Sequence, residues 1–122
     1  MSRKLKFWET ALRDAHQSLW ATRMTSEMME SILPTMDKAG YDYLDVAGSA
    51  VFESCIYYLA EDPFERLKMI NKLAPRTTKN VYIRSLNVLG WDLFADDVFP
   101  LTINSLARHG VGFINTFDAL ND

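Results

Sequence analysis

Three times in this chain a helix-forming stretch runs into a glycine or proline, and a short apolar run then follows. Gly40 precedes Tyr43–Ala47, Pro75 precedes Val81–Arg84, and Gly110 precedes Gly112–Asp118. A further apolar run, Leu5–Leu12, opens the series. Strands that alternate with helices pair in parallel, and each connection between them is a right-handed crossover. The expected fold is therefore α/β, with about four parallel strands and helices between them. No linker, low-complexity stretch or repeat divides residues 1–122, so one unit without an internal boundary is expected.

The helices carry their own punctuation. Thr25 suits an N-cap, Glu27 and Glu30 lie in the first turns, and Met28, Ile32, Met36 and Ala39 recur at helical spacing. Pro34 falls inside that pattern, where it removes a backbone donor and predicts a bend or a break into two pieces. Gly48–Ala60 reads as a loop followed by a short helix. Asp62-Pro63-Phe64-Glu65 is a strong helix start, with Asp62 as cap, Pro63 at the first position and Glu65 expected to return to the cap amide. Leu67, Ile70 and Leu73 supply the buried stripe of that helix. A last helix is expected over Ala95–His109, interrupted by Pro100.

Composition narrows the partners. A net charge of −3 with 24% charged residues gives no basic field for nucleic acid or an anionic membrane. No apolar run approaches the length of a membrane span, so no direct membrane insertion is expected. The single cysteine, Cys55, cannot close an internal disulfide, and no charged-then-apolar leader precedes the first strand, so a cytoplasmic location is expected. Cys55 itself reads as a small buried residue. Periodicity alone leaves two architectures open, a small open sheet and part of a (β/α)8 barrel. The 122 residues are half of the ~250 such a barrel usually needs, so the chain is expected to be a piece or to need a partner.

Chemistry concentrates where the first strand should end. Leu12-Arg13-Asp14-Ala15-His16-Gln17-Ser18-Leu19 brings a guanidinium, a carboxylate, an imidazole and an amide together. A barrel enzyme that binds a divalent metal and a small anionic acid needs such groups at a strand's C-terminal end, facing a shared mouth. Strict alternation along a strand would point Arg13 and Asp14 to opposite sides, so Arg13 reaches the mouth only if the strand has already ended. Arg84 is the second candidate, because an arginine in an apolar strand is costly to bury without an anion. Either a substrate carboxylate or a salt bridge with Asp45 or Glu53 would supply one. Asp118, at another strand end, could face the mouth or cap the next helix. His16 is expected to make a structural loop hydrogen bond.

These residues sit within longer motifs. To the run from Leu12 to Leu19 are added Ala21-Thr22-Arg23-Met24, Leu59-Ala60-Glu61-Asp62-Pro63-Phe64-Glu65-Arg66-Leu67, Asn87-Val88-Leu89-Gly90 and Phe117-Asp118-Ala119-Leu120-Asn121-Asp122. In order and spacing, over Thr10 to Asp122, they resemble the carboxyltransferase domain of biotin-dependent enzymes. That family includes pyruvate carboxylase, the oxaloacetate decarboxylase alpha subunit and the transcarboxylase 5S subunit. The resemblance implies the N-terminal part of a (β/α)8 TIM barrel, about its first four parallel strands with their intervening helices. It implies carboxyl transfer between carboxybiotin and a keto acid such as pyruvate or oxaloacetate. On this reading Asp14 is a ligand of a divalent metal (Zn, Mn or Co), Gln17 contacts the keto acid through its amide, and Arg84 binds the substrate carboxylate. Arg13 joins Arg84 as a catalytic and substrate-binding group at the mouth. The implied partners are the keto acid, biotin on a carrier domain, and the remaining half of the barrel in the same or another chain.

Several positions depart from the family pattern: in Val46-Ala47-Gly48-Ser49-Ala50-Val51-Phe52-Glu53 the tryptophan and one glycine of the family's W-G-G-A-T-F-D are lost, and three polar positions change. Glu53 stands in place of an aspartate, Trp91 in place of an active-site tyrosine after the N-x-x-G loop, and Asn115 in place of an arginine in the fourth strand. The family's carbamylated lysine, H-x-H pair and proton-shuttling threonine have no counterpart in this stretch, so the chain alone is expected not to catalyse carboxyl transfer. Three readings remain open. The chain is the first portion of a carboxyltransferase completed by a second half, or a non-catalytic remnant or assembly module that binds a partner half barrel, or an acyl-CoA-using synthase or lyase of the same superfamily. Ala15-His16, where that last group has a glycine-containing turn, argues against it.

Overall fold

The computed structural model describes residues 4–118. Its regular elements, in order, are β1 (Trp8–Glu9), a π-helical turn (Ala11–Ala15), α1 (His16–Trp20), α2 (Ser26–Glu30), α3 (Leu33–Lys38) and β2 (Tyr43–Ala47). There follow α4 (Ser49–Ser54) with a π-helical extension (Cys55–Leu59), α5 (Pro63–Leu73), β3 (Thr78–Arg84), a 3-10 turn (Ser85–Asn87), α6 (Val98–Arg108) and β4 (Val111–Phe117). The four strands form one parallel sheet in the order β1-β2-β3-β4. Spatial order thus follows chain order, as it does when a barrel is built strand by strand, and the sheet does not close on itself. No helix among the described residues is long and apolar enough to cross a membrane.

The two faces of the sheet differ. Leu44 and Val46 of β2 and Val81 and Ile83 of β3 are buried with Met29, Leu33, Phe52, Leu67, Ile70 and Leu106 from the helices. Alternation turns Tyr43, Asp45, Asn80, Tyr82, Arg84, Phe113 and Phe117 to the opposite face. There Trp8 stacks on Tyr43 at 4.4 Å, and Phe113 meets both rings at 5.3 Å. Trp8, Phe113 and Phe117 stay more than a third exposed, as expected for barrel-facing side chains of an unclosed sheet.

Several boundaries correct the sequence reading. The first strand covers Trp8–Glu9 rather than Leu5–Leu12, because the backbone turns at Thr10, whose carbonyl accepts from the amides of Arg13, Asp14 and Ala15 at 3.1, 2.7 and 3.4 Å. The break between α2 and α3 falls at Ser31–Ile32, with Pro34 in the first turn of α3, where its missing donor costs nothing. The buried stripe there is Met29, Leu33 and Met36, whereas Met28, Ile32 and Ala39 are exposed. Both stripes are apolar at helical spacing, so periodicity did not separate them. A helix begins directly at Ser49, without a preceding loop. Asp62 caps α5 as expected, accepting from Phe64 N at 2.8 Å, but the Glu65 carboxylate pairs with Lys68 instead of returning to the cap. Pro100 lies in the first turn of α6 and leaves that helix whole. The third and fourth strands run over Thr78–Arg84 and Val111–Phe117, and Ala119 to Asp122 of the last motif lie outside the described residues.

Candidate anion-binding site

The early end of β1 decides where the polar cluster points. Glu9 accepts from Ala11 N at 2.7 Å and helps turn the chain into the π-helical segment, so Arg13 and Gln17 fall four residues apart on one helical face. They meet Ser49 and Ala50 from the start of α4, Tyr82 and Arg84 from β3, Trp91 from the following loop, and Phe117 from β4 around a recess of about 40 Å³. Every strand in this parallel sheet directs its C-terminal end to this side, the side on which barrel enzymes carry their sites.

Two arginines line the recess, and among the described residues Arg13 pairs with Asp14 while Arg84 has no ion-pair partner. The Arg13 guanidinium lies 4.7 Å over the Tyr82 ring and touches Asp14 Oδ1 at 3.0 Å, while its buried Nε has no hydrogen-bond partner among the described residues. Arg84 lies 4.6 Å over the Trp91 ring and 5.7 Å from the Phe117 ring. The alternative salt bridge to Asp45 or Glu53 does not form. Asp45 accepts from the Trp8 indole N–H and from Asn80 Nδ2 at 2.6 Å, and Glu53 Oε1 accepts from Trp91 N at 3.0 Å. Burial pushes the Asp45 carboxyl above its usual range, and the hydrogen bonds from Trp8 and Asn80 pull it only partly back. The recess therefore presents two fixed cationic groups and the Gln17 amide, a donor set suited to a small carboxylate.

The metal reading fares differently. Asp14 is mostly exposed and ion-paired to Arg13, and no group of three or more His, Cys, Asp or Glu able to hold a metal is present among the described residues. These residues offer a single carboxylate, not a complete ligand set. The His16 side chain makes no loop hydrogen bond among the described residues, although its backbone carbonyl accepts from Thr22 N at 3.0 Å. Its ring is 2% exposed, both nitrogens lack a partner among the described residues, and burial, with Arg66 and Arg13 nearby, lowers its pKa to about 4. Asp118 is exposed and accepts from Ser85 Oγ at 3.4 Å, next in the chain to the lining residue Phe117. Cys55 is buried, and its thiol is pushed up to about 11, chiefly by desolvation.

Two further motifs prove structural. The Thr22 and Ser54 hydroxyls bond to each other in the interior. Arg66, 3% exposed, reaches Met24 O at 3.0 Å, Ser26 Oγ at 3.1 Å and Glu61 Oε2 at 2.6 Å, tying the segment before α2 to α5. Residues of the recess that the sequence reading missed are Ser49, Ala50, Tyr82 and Phe117. Tyr82 was findable, since it stands two positions before Arg84 on one strand and so shares its face.

Fold and recess together define a class: a parallel-stranded portion of a (β/α)8-type barrel with a cationic recess at the C-terminal ends of its strands. By sequence the chain is homologous to one stretch of pyruvate carboxylase and transcarboxylase subunits, and by structure it matches part of a pyruvate carboxylase carboxyl transferase domain. It is 42% identical over 118 residues to a pyruvate carboxylase subunit of Methanothermobacter thermautotrophicus, a match covering 97% of this chain and 21% of that protein. It is 40% identical to the methylmalonyl-CoA carboxyltransferase 5S subunit of Propionibacterium freudenreichii subsp. shermanii, over 98% of this chain and 24% of the relative. The carboxyl transferase domain of Rhizobium etli pyruvate carboxylase, solved with pyruvate and biocytin, superposes with a TM-score of 0.91 at 31% identity, over 98% of this chain and 20% of that one. No protein-family model matches. The chain spans about a fifth to a quarter of the length of these relatives.

Proposed function

We propose that the 122 residues, as one unit, form the N-terminal part of a biotin-dependent carboxyltransferase barrel whose recess holds the carboxylate of a keto acid such as pyruvate or oxaloacetate. The supporting observation is the convergence of Arg13, Gln17 and Arg84 on one recess at the C-terminal ends of parallel strands. Arg84 takes the substrate carboxylate through its N–H edges, and Gln17 donates to the neighbouring keto oxygen. In pyruvate a methyl proton passes to a base supplied by the remaining half of the barrel, and in oxaloacetate the C4 carboxyl group leaves as carbon dioxide; in both cases negative charge gathers on that keto oxygen. Arg13 and Arg84 are already in place as positive groups, so little reorganisation accompanies the charge shift. Biotin on a carrier domain supplies the carboxyl group when bound. Asp14 is this chain's one contribution to a divalent metal site completed by the remaining half of the barrel.

The exposed barrel-facing rings and the outermost strands β1 and β4 support pairing with that half, in a longer chain or a second one. A cytoplasmic location belongs to the same reading. It is tested by oxaloacetate decarboxylation stimulated by free biotin, using the protein together with the half that completes its barrel. Arg84→Ala and Arg13→Ala are expected to abolish that activity. Full activity in both variants would remove the arginines from the site.

A further inference from the structure

Trp91 is 56% exposed, so burial of apolar surface does not explain where its ring sits. Its backbone is nevertheless pinned at both polar groups by side chains. The N–H donates to Glu53 Oε1 at 3.0 Å, and the C=O accepts from Asn87 Nδ2 at 2.8 Å. The loop is closed behind it by Gly90 N donating to Asn87 O at 2.8 Å. Gly90 itself lies against the Phe94 ring, where an added Cβ would fall 2.6 Å from a ring carbon. The ring carried by this pinned backbone lies over one guanidinium, that of Arg84 at 4.6 Å.

A guanidinium over an indole ring has a chemical consequence. An arginine whose flat face rests on an indole keeps its N–H edges free for a planar, two-oxygen acceptor, and indole is the strongest aromatic partner for a cation. Among the described residues Arg84 makes no ion pair that would compete for those edges. We propose that Trp91 is a positioning residue, held by Glu53 and Asn87 so that its ring presents Arg84 to an incoming carboxylate. This rests on the reading of the recess as a carboxylate site. It turns Glu53 and Trp91, two separate departures in the sequence, into one device in which the carboxylate at 53 fixes the backbone that carries the ring at 91.

The test uses the full-length gene product with whatever completes its barrel, and two probes, acetate and pyruvate. Binding is followed by calorimetry and by the Arg84 Nε–Hε signal in ¹⁵N–¹H spectra, which the indole ring current should move upfield. Trp91→Phe is expected to keep both the shifted signal and near-normal affinity. Trp91→Ala should lose the shift and weaken both anions roughly three- to tenfold. The paired Glu53→Ala, Asn87→Ala variant keeps the ring but frees its backbone, and should shift in the same direction even if Trp91→Ala fails to fold. Wild-type affinity in Trp91→Ala, or in the paired variant, overturns the proposal, as does an unshifted Arg84 signal in the native protein. If pyruvate binds no better than acetate while both need Arg84, the keto-acid assignment falls and the positioning role stands. If neither anion binds the native protein, both readings fall.

Discussion

The Arg13 guanidinium rests 4.7 Å above the ring of Tyr82, two strands away in the sheet. The contact exists because β1 stops at Glu9 and the chain coils at once, carrying Arg13 over the strand ends instead of along an edge. Both arginines of the recess are thus held on aromatic faces, Arg13 on Tyr82 and Arg84 on Trp91. Among the described residues the first pairs with one exposed carboxylate, Asp14, and the second with none.

This arrangement predicts a graded response to substitution around Arg13. Arg13→Ala should weaken pyruvate binding about ten- to a hundredfold, the worth of one hydrogen bond to a charged group. Tyr82→Phe keeps the ring and should leave affinity nearly unchanged, whereas Tyr82→Leu should cost about threefold. Calorimetric titration of the complete protein with pyruvate measures all three. Equal losses from the phenylalanine and leucine variants would show that the hydroxyl, not the ring, supports Arg13.

Asp14→Asn separates metal binding from folding. Asp14 is 59% exposed although Arg13 is only 22% exposed, and a pair open to solvent on its carboxylate side contributes about 1 kcal/mol, so thermal unfolding should hardly move. If Asp14 is one of the ligands of a shared divalent site, the metal content of the completed barrel should fall in the same variant. Unchanged metal content with unchanged stability would leave Asp14 as a partner of Arg13 alone.

Arg66 should behave in the opposite way, with a large effect on stability. Its guanidinium is buried and ties Glu61 to the Met24 carbonyl and the Ser26 hydroxyl. Arg66→Ala leaves those acceptors without their donor, and breaking such a buried pair costs about 3–5 kcal/mol. Urea unfolding of the variant measures the loss. A value under about 1 kcal/mol would mean that water replaces the side chain.

The sequence made the strand and helix order legible because Gly40, Pro75 and Gly110 punctuate it, and the parallel sheet followed from that alternation. It made Arg84 legible through the cost of a charge in an apolar strand. The length of β1 was not legible, since nothing in the apolar run Leu5–Leu12 reveals that the Thr10 carbonyl will collect three amides. Met28 and Met29 offered two adjacent stripes of equal quality, and only the break at Ser31–Ile32 chose between them. His16 looked like a loop residue because its neighbours Asp14 and Gln17 are polar. Its burial comes from the helical turn that replaced the strand end, a tertiary event that the local pattern does not encode.

That burial makes stability depend on pH in a defined direction. The folded chain holds His16 neutral down to about pH 4, chiefly because its ring is buried and secondarily because Arg66 and Arg13 repel a second positive charge. In the unfolded chain the same imidazole titrates near its ordinary 6.5. Between these values the unfolded state takes up a proton that the folded state refuses, so stability falls as the pH drops through that window and is level above it. From pH 7 to pH 5 the loss should be about 2 kcal/mol. Other groups titrate as well, so the decisive quantity is the difference between the native chain and His16→Leu. That variant keeps an apolar volume in the same place and removes two nitrogens that have no hydrogen-bond partner among the described residues. Its urea midpoint should change less between pH 7 and 5 than that of the native chain, and the gap should close above pH 7. Parallel pH profiles for the two chains would mean that the imidazole reaches water and is not held neutral by the fold.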